Sequence, residues 1–305
     1  MHVTEVCYYV AGSVNKLVRK PHLTGAHGLD FSVHSLGSGS SGNSMLVQTG
    51  GTKVLLDAGL GVLQLQKRLS KFRVTLNDLD AVFLTHEHGD HSRSAYPLSK
   101  RFGVRVIGNP ATLTVLSHEF APPNWWTLDT GSSMPIGDLL VESFPVSHDA
   151  VDPVGYNVYH KGMKVSFVTD TGVAGEEILR KIEGANLAII EANHDIDRLV
   201  AGPYPWSLKE RILSDVGHLS NLAASELILK HVDRSRRPSC IWLAHLSDTN
   251  NSPRMARRFI QQRLSEAGRR NVVLDVALKD TASLIWRPGA RAVQMDLFDD
   301  AVYAK

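Results

Sequence analysis

From Asp30 onward the chain alternates short apolar runs with segments whose apolar residues recur every three or four positions. Phe31-Ser32-Val33-His34-Ser35-Leu36 alternates as a half-buried strand does. Residues 45–48 and 53–56 read as two strands joined across Gly50-Gly51 in a hairpin. Residues 81–84, 104–107, 164–168, 188–190 and 240–243 are β-branched or aliphatic runs of strand length. The stretch 126–159 is strand-rich, with 139–144 and 154–159 its clearest members. Helical spacing runs over 60–72, through Leu60, Leu63, Leu65 and Leu69, and predicts further helices over 94–102, 111–120, 176–182, 221–232 and 253–267. Residues 272–278 and 283–286 are expected to close the fold as a hairpin. Early hairpins followed by strand–helix alternation, twice over, imply two packed sheets with helices outside, an α/β (α+β) architecture.

No composition break marks a linker between Asp30 and Arg287, so 29–288 is read as one domain. Residues 1–28 are expected to be a poorly ordered N-terminal extension, and 289–305 a tail. With 305 residues, 43% hydrophobic and 21% charged, the composition is ordinary for a globular chain. A net charge of +2 gives no argument for nucleic acid. No apolar run approaches a membrane span, so no membrane is expected. The apolar piece 6–10 is very short, and Lys16, Arg19 and Lys20 follow it rather than precede it, unlike a secretory leader. Cys7 and Cys240 are far apart and form neither a metal-binding CxxC nor a disulfide framework, so a reduced, cytoplasmic setting is the simplest expectation.

The chemistry concentrates in His86-Glu87-His88-Gly89-Asp90-His91, directly after the strand-like Ala81-Val82-Phe83-Leu84-Thr85. Residues two apart on extended chain point the same way, so His86 and His88 converge on one point. Asp90 and His91 turn with the loop toward a second. Imidazole and carboxylate are the usual N/O ligands of zinc and its neighbours. The alternative is a histidine-rich surface loop. Three further residues of ligand type end apolar runs: His148 after residues 139–147, Asp170 after 165–169 and His245 after 241–244. Asp57 ends a strand too. It is expected to accept the free ring N–H of a ligand histidine and so fix its tautomer; the alternative is a helix N-cap.

These residues, in this order, resemble the metallo-β-lactamase fold superfamily over nearly the whole chain. Gly39-Ser40-Ser41-Gly42-Asn43-Ser44, Ser147-His148-Asp149-Ala150-Val151-Asp152-Pro153-Val154-Gly155-Tyr156, Glu191-Ala192-Asn193-His194-Asp195, Gly202-Pro203-Tyr204-Pro205-Trp206, Gly217-His218-Leu219-Ser220-Asn221 and Leu243-Ala244-His245-Leu246-Ser247 carry a closer likeness, to the WalJ/YycJ-type branch of bacterial proteins implicated as DNA exonucleases. The resemblance implies a four-layer αββα sandwich with two divalent ions, Zn²⁺ or Mn²⁺, at one sheet edge. It implies that His86, His88 and His148 hold one ion, that Asp90, His91 and His245 hold the other, and that Asp170 bridges them. The implied reaction is 5′-to-3′ exonucleolytic cleavage of DNA in repair or replication, by water that the two ions acidify. Asp90 and His218 are its candidate catalytic residues, His218 at the leaving group. The alternative for His218 is a place beside the cap of the following helix. RNA, a small cyclic phosphodiester, and a thioester or lactam are the rival substrates.

Ser41 and Asn43 in the Gly/Ser loop 37–44 are candidate phosphate contacts, against a plain connecting loop. Lys209 and Arg211 could hold a DNA backbone. Arg254, Arg257, Arg258 and Arg263 make a basic helix face that serves the same end or is merely solvated. Gln294-Met295-Asp296-Leu297-Phe298 is similar to the short peptides by which bacterial repair proteins dock on the DNA sliding clamp. Leu297 and Phe298 would fill an apolar pocket, with Gln294 at its rim; the alternative is that they fold back on the core.

Overall fold

The computed structural model describes residues 6–9, 30–119, 124–235 and 240–289. Within them lie two mixed sheets packed face to face with helices on both outer sides. The first sheet has the order β1-β15-β2-β3-β4-β5-β6-β7. Its strands are β1 (Val6–Tyr9), β2 (Phe31–Gly37), β3 (Ser44–Thr49), β4 (Lys53–Leu56), β5 (Ala81–Phe83), β6 (Arg105–Gly108), β7 (Trp125–Thr127) and β15 (Leu284–Arg287). The second has the order β14-β13-β12-β11-β10-β9-β8. It comprises β8 (Ser133–Ile136), β9 (Leu139–Pro145), β10 (Val154–His160), β11 (Met163–Val168), β12 (Leu187–Glu191), β13 (Cys240–Ala244) and β14 (Val273–Val276).

Burial on both faces explains why the central strands read as unbroken apolar runs. On β4, Val54 and Leu56 enter the core between the sheets, while Leu55 faces the helix layer outside. On β12 and β13, Leu187, Ile189 and Trp242 point inward, and Ala188, Ile190, Ile241 and Leu243 pack outward. Outside the first sheet lie α1 (Val62–Ser70) and α3 (Ala95–Phe102), through Leu65, Leu69 and Leu98. Outside the second lie α5 (Glu176–Ile182), α8 (Asn221–Arg234) and α9 (Pro253–Glu266). The αββα expectation therefore holds. Leu63, counted in the apolar stripe of α1, is instead 81% exposed.

Three expectations need correction. First, β14 and β15 do not form a hairpin. β14 runs parallel to β13 in the second sheet, and β15 inserts antiparallel beside β2 in the first. Sequence proximity favoured pairing, but each strand has an apolar face that different sheets can bury. Second, residues 6–9, placed within the extension, form a strand that pairs with β15, whose outer edge offers unsatisfied backbone groups. Third, Cys240, buried in β13, is disulfide-bonded, which its spacing in sequence gave no sign of. The inference of a reduced setting from unpaired thiols loses that support. Gln294, Leu297 and Phe298 lie outside the described residues. No helix among the described residues is long and apolar enough to cross a membrane.

Candidate metal centre

The strands β4 to β7 run parallel, as do β11 to β14, so their carboxyl ends collect along one rim. Asp57 follows β4, and His86 lies in the loop after β5. The same loop continues through His88 into the single-turn helix α2 (Gly89–Ser92), which carries Asp90 and His91. His148 follows β9, Asp170 follows β11, Glu191 ends β12 and His245 follows β13. Asp57, Asp170 and His245 have φ of 62°, 55° and 54°, and only Arg73 and Lys161 share that left-handed conformation among the described non-glycine residues. Strained backbone of this kind persists where surrounding structure over-determines it.

Among the described residues the donor atoms gather as four clusters, in each of which they lie within 4.8 Å of one another: His86, His88 and His148; His86, His91 and Asp170; Asp90, His91 and His245; Asp170, Glu191, His218 and His245. Most of the rings are aimed by a second partner on their other nitrogen. His91 donates from Nδ1 to Asp57 Oδ2 at 2.7 Å, which leaves Nε2 beside Asp90 and Asp170. His148 Nδ1 donates to the carbonyl of Gly217 at 3.1 Å. The Thr85 hydroxyl lies 3.0 Å from both Asp57 oxygens and 2.9 Å from His86 Nδ1. Since the carboxylate only accepts, Thr85 donates to it and His86 donates to Thr85. The lone pair of His86 is then on Nε2, a buried atom with no hydrogen-bond partner. Asp170 Oδ2 is also buried and makes no hydrogen bond. Orphaned acceptors facing one another in a set of imidazoles and carboxylates are what a divalent cation would satisfy, so the residues fit such ions.

Glu191 was not picked out from the sequence beyond its place in a shared motif. Oε1 accepts from His218 Nδ1 at 2.7 Å and from His245 Nδ1 at 3.0 Å. Oε2 accepts from the backbone N–H of Thr171 and Leu219. With both oxygens engaged, this fully buried carboxylate orients two rings rather than offering itself as a ligand. Its one visible signal is a charged residue ending the otherwise apolar β12. His218 reaches the cavity, while Ser220 caps α8 by accepting from Ala223 N–H. The cap of that helix is thus Ser220, and His218 stands apart from it with its ring toward the cavity.

The charges divide the site. Burial, then the neighbouring His91 and His148, holds His86 well below the ordinary imidazole range, so it is neutral at pH 7. Burial lowers His148 as well. Burial also opposes charge on His245, but Asp170 and the hydrogen bonds to Asp90 and Glu191 override it, and the group is pushed up to about 10. His91 is likewise raised, with Asp170 and Asp57 outweighing burial. Asp90 is held well below the carboxylate range, because hydrogen bonds from His245 and His91 overcome its burial. Ligand histidines must be neutral, so cation uptake at pH 7 should expel protons from His91 and His245. Affinity should rise with pH through about 10, where His245 is half deprotonated. Calorimetry in buffers of different protonation enthalpy checks this, and a binding heat independent of buffer would contradict it.

A cavity of about 280 Å³ opens beside the clusters, lined in part by His88, Asp90, His148, Asp170, His218 and His245. Of the expected substrate contacts, Arg211 lines it, ion-paired with Asp149 at 3.0 Å. Lys209 does not: it is buried, and Nζ donates to the carbonyls of Val200 and Gly202, where it closes the end of α6 (Ile196–Ala201). Asn43 is also buried. Its Oδ1 accepts from Gly39 N–H and the Ser38 hydroxyl, and Nδ2 contacts Asp90 and His91 Nε2. It props the donor loop and is not free to meet a phosphate. Ser40, not Ser41, lines the cavity, because the turn at residues 39–42 sends Ser41 to solvent. Arg257 of α9 donates to the carbonyl of Leu274, away from the cavity.

Asp57→Asn tests the outer support. Asn tolerates positive φ, so the backbone is retained while the charge is lost. Metal affinity should fall about 10–100-fold, read by competition with a chromogenic chelator. A change under about threefold would mean that His91 needs no such anchor.

A sequence model of the beta-lactamase superfamily domain matches residues 52–236. The chain is 38% identical over 248 residues to the exodeoxyribonuclease YycJ of Bacillus anthracis, an alignment covering 79% of this chain and 91% of that protein. It is 34% identical over 259 residues to the exodeoxyribonuclease WalJ of Streptococcus pneumoniae, covering 83% and 95%. Among solved structures, the metallo-beta-lactamase fold protein YhfI from Bacillus subtilis superposes with a TM-score of 0.66 at 19% identity, over 85% of this chain and 99% of that one, a likeness of fold.

Proposed function

Because this chain belongs to the metallo-β-lactamase fold superfamily, in its WalJ/YycJ-like branch, and is thereby a metal-dependent hydrolase, we propose that it is an exodeoxyribonuclease. The observation that supports this best is the buried, unpartnered Nε2 of His86, set among converging donors beside an open cavity, in a chain 34% and 38% identical to relatives named exodeoxyribonucleases. In this reading His86, His88 and His148 hold one ion, Asp90, His91 and His245 hold a second, and Asp170 stands between them. Zn²⁺ and Mn²⁺ both suit such mixed imidazole and carboxylate donors.

When bound, divalent ions supply positive charge that acidifies water and polarises a phosphoryl oxygen. The side chains do the rest. The Asp90 carboxylate, which accepts only, orients the attacking water through hydrogen bonds. Glu191 takes the Nδ1–H of His218 and so fixes the tilt of the ring. The cationic ring, with a proton on Nε2 as well, is the form that would pass that proton to the departing oxygen and end with its lone pair on Nε2. Arg211 at the mouth draws in the phosphate backbone. We place the reaction in DNA repair or replication, with 5′-to-3′ polarity and in the cytoplasm, where chromosomal DNA would be met. The segment Gln294–Phe298 would tether the enzyme to a sliding clamp.

DNA labelled at either end, incubated with Zn²⁺, Mn²⁺ and Mg²⁺ in turn, tests the proposal. Shortening from the 5′ end with at least one ion, abolished by chelator, is the expected result. Cleavage of RNA, a cyclic phosphodiester or a thioester with DNA left intact would replace this reading with one of its rivals.

A further inference from the structure

Part of the cavity wall comes from α7 (Trp206–Leu213) and the turn before it. Tyr204, Leu208 and Ile212, four residues apart in sequence, all line the cavity. None of them contacts the donor clusters through a hydrogen bond or ion pair, and the mechanism above leaves them unused. The cavity thus joins a charged lining, suited to a phosphate, with an apolar one that begins at an aromatic ring. Its size is also informative. At about 280 Å³ it falls at the bottom of the range of ligand pockets, roughly 300–1,000 Å³.

Resting on the reading of the substrate as a DNA end, we propose that Tyr204 is the platform on which the terminal base of an unpaired strand stacks while its phosphate meets the donor clusters. Every base has a π-face, so a lone phenol ring selects for the presence of a base and not for its identity. Leu208 and Ile212 keep water from the wall beside it. Seated on this wall, the base is turned out of its duplex stack and away from its pairing partner. The enzyme therefore takes single-stranded or frayed ends, and a blunt duplex end must open its last pair before it reacts. Tyr204 is a specificity-determining residue in this scheme.

The test uses the full-length metal-loaded enzyme and needs no variant for its first arm. Single-stranded oligonucleotides ending in a normal nucleotide are compared with ones ending in an abasic tetrahydrofuran residue, both by kcat/KM and by fluorescence anisotropy on cleavage-resistant phosphorothioate ends. The abasic end should bind and react about tenfold more weakly. A blunt duplex should react at least about tenfold more slowly than the same duplex with an unpaired overhang. In Tyr204→Ala the gap between normal and abasic ends should close, and Tyr204→Phe should restore it. Equal handling of both ends by the unaltered enzyme, or a gap that survives in Tyr204→Ala, overturns this inference alone. Absence of binding and cleavage for every DNA end overturns it together with the proposed function.

Discussion

Asp170→Ala should lower DNA hydrolysis by about 10³-fold or more and strip the protein of tightly held metal. The Asp170 carboxylate lies within 4 Å of four of the gathered imidazoles. Its Oδ2 lies 3.2 Å from His91 Nε2, and its Oδ1 lies 3.2 Å from His245 Nδ1, 3.7 Å from His218 Nδ1 and 3.9 Å from His148 Nε2. Without the carboxylate, four imidazoles lose a negative neighbour that they share. A loss of 10³-fold corresponds to about 4 kcal/mol of transition-state stabilisation. Alanine also pays a backbone cost at φ 55°, of order 1–2 kcal/mol, so Asp170→Asn is the companion variant that tolerates this conformation. Both should show the loss. The check is kcat/KM on end-labelled DNA alongside metal content after gel filtration. Activity within about tenfold of the unaltered enzyme would remove Asp170 from the centre.

The second large effect needs no change to any donor. A Cβ added at Gly59 would sit 1.6 Å from the carbonyl oxygen of Asp90, 2.2 Å from its carbonyl carbon and 2.8 Å from the nitrogen of His91. All three are backbone atoms, so no side chain can swing aside. The two segments are also laced together: Ala58 N–H donates to the carbonyl of His91, Asn43 N–H to that of Asp90, and Gly59 N–H to that of Asn43. Gly59→Ala must therefore push the loop bearing Asp90 and His91 off its seat. We expect destabilisation by about 3 kcal/mol, at the upper end of overpacking, and a fall of at least about tenfold in metal affinity. Gly51→Ala, where nothing lies within 4 Å of the added carbon, should change neither. Urea denaturation and metal titration of the two variants give the comparison. Equal behaviour would show that the loop can yield without cost.

Much of this centre could be read from the sequence because its parts obey local rules. His86, His88, His148, Asp170 and His245 each stand where an apolar run stops, and parallel strands bring such ends to one rim. Asp57 was legible for the same reason, and its bond to His91 is the contact expected of it. Lys209 and Asn43 misled for a shared reason. A polar side chain in a loop or on a helix reads as solvent-facing, yet both turn inward to satisfy buried backbone or side-chain groups. Glu191 was overlooked because its partners, His218 and His245, lie 27 and 54 residues away in sequence.

The periodicity of 2 against 3.6, and the residue types at strand ends, were settled by the sequence alone, since both depend on the geometry of a single stretch of backbone. Which sheet receives β14 or β15, which ring faces which carboxylate, and why Gly59 tolerates no side chain were settled only in three dimensions. Those are contacts between segments remote along the chain. Their energies depend on distance and burial, neither of which exists until the two sheets have closed on each other.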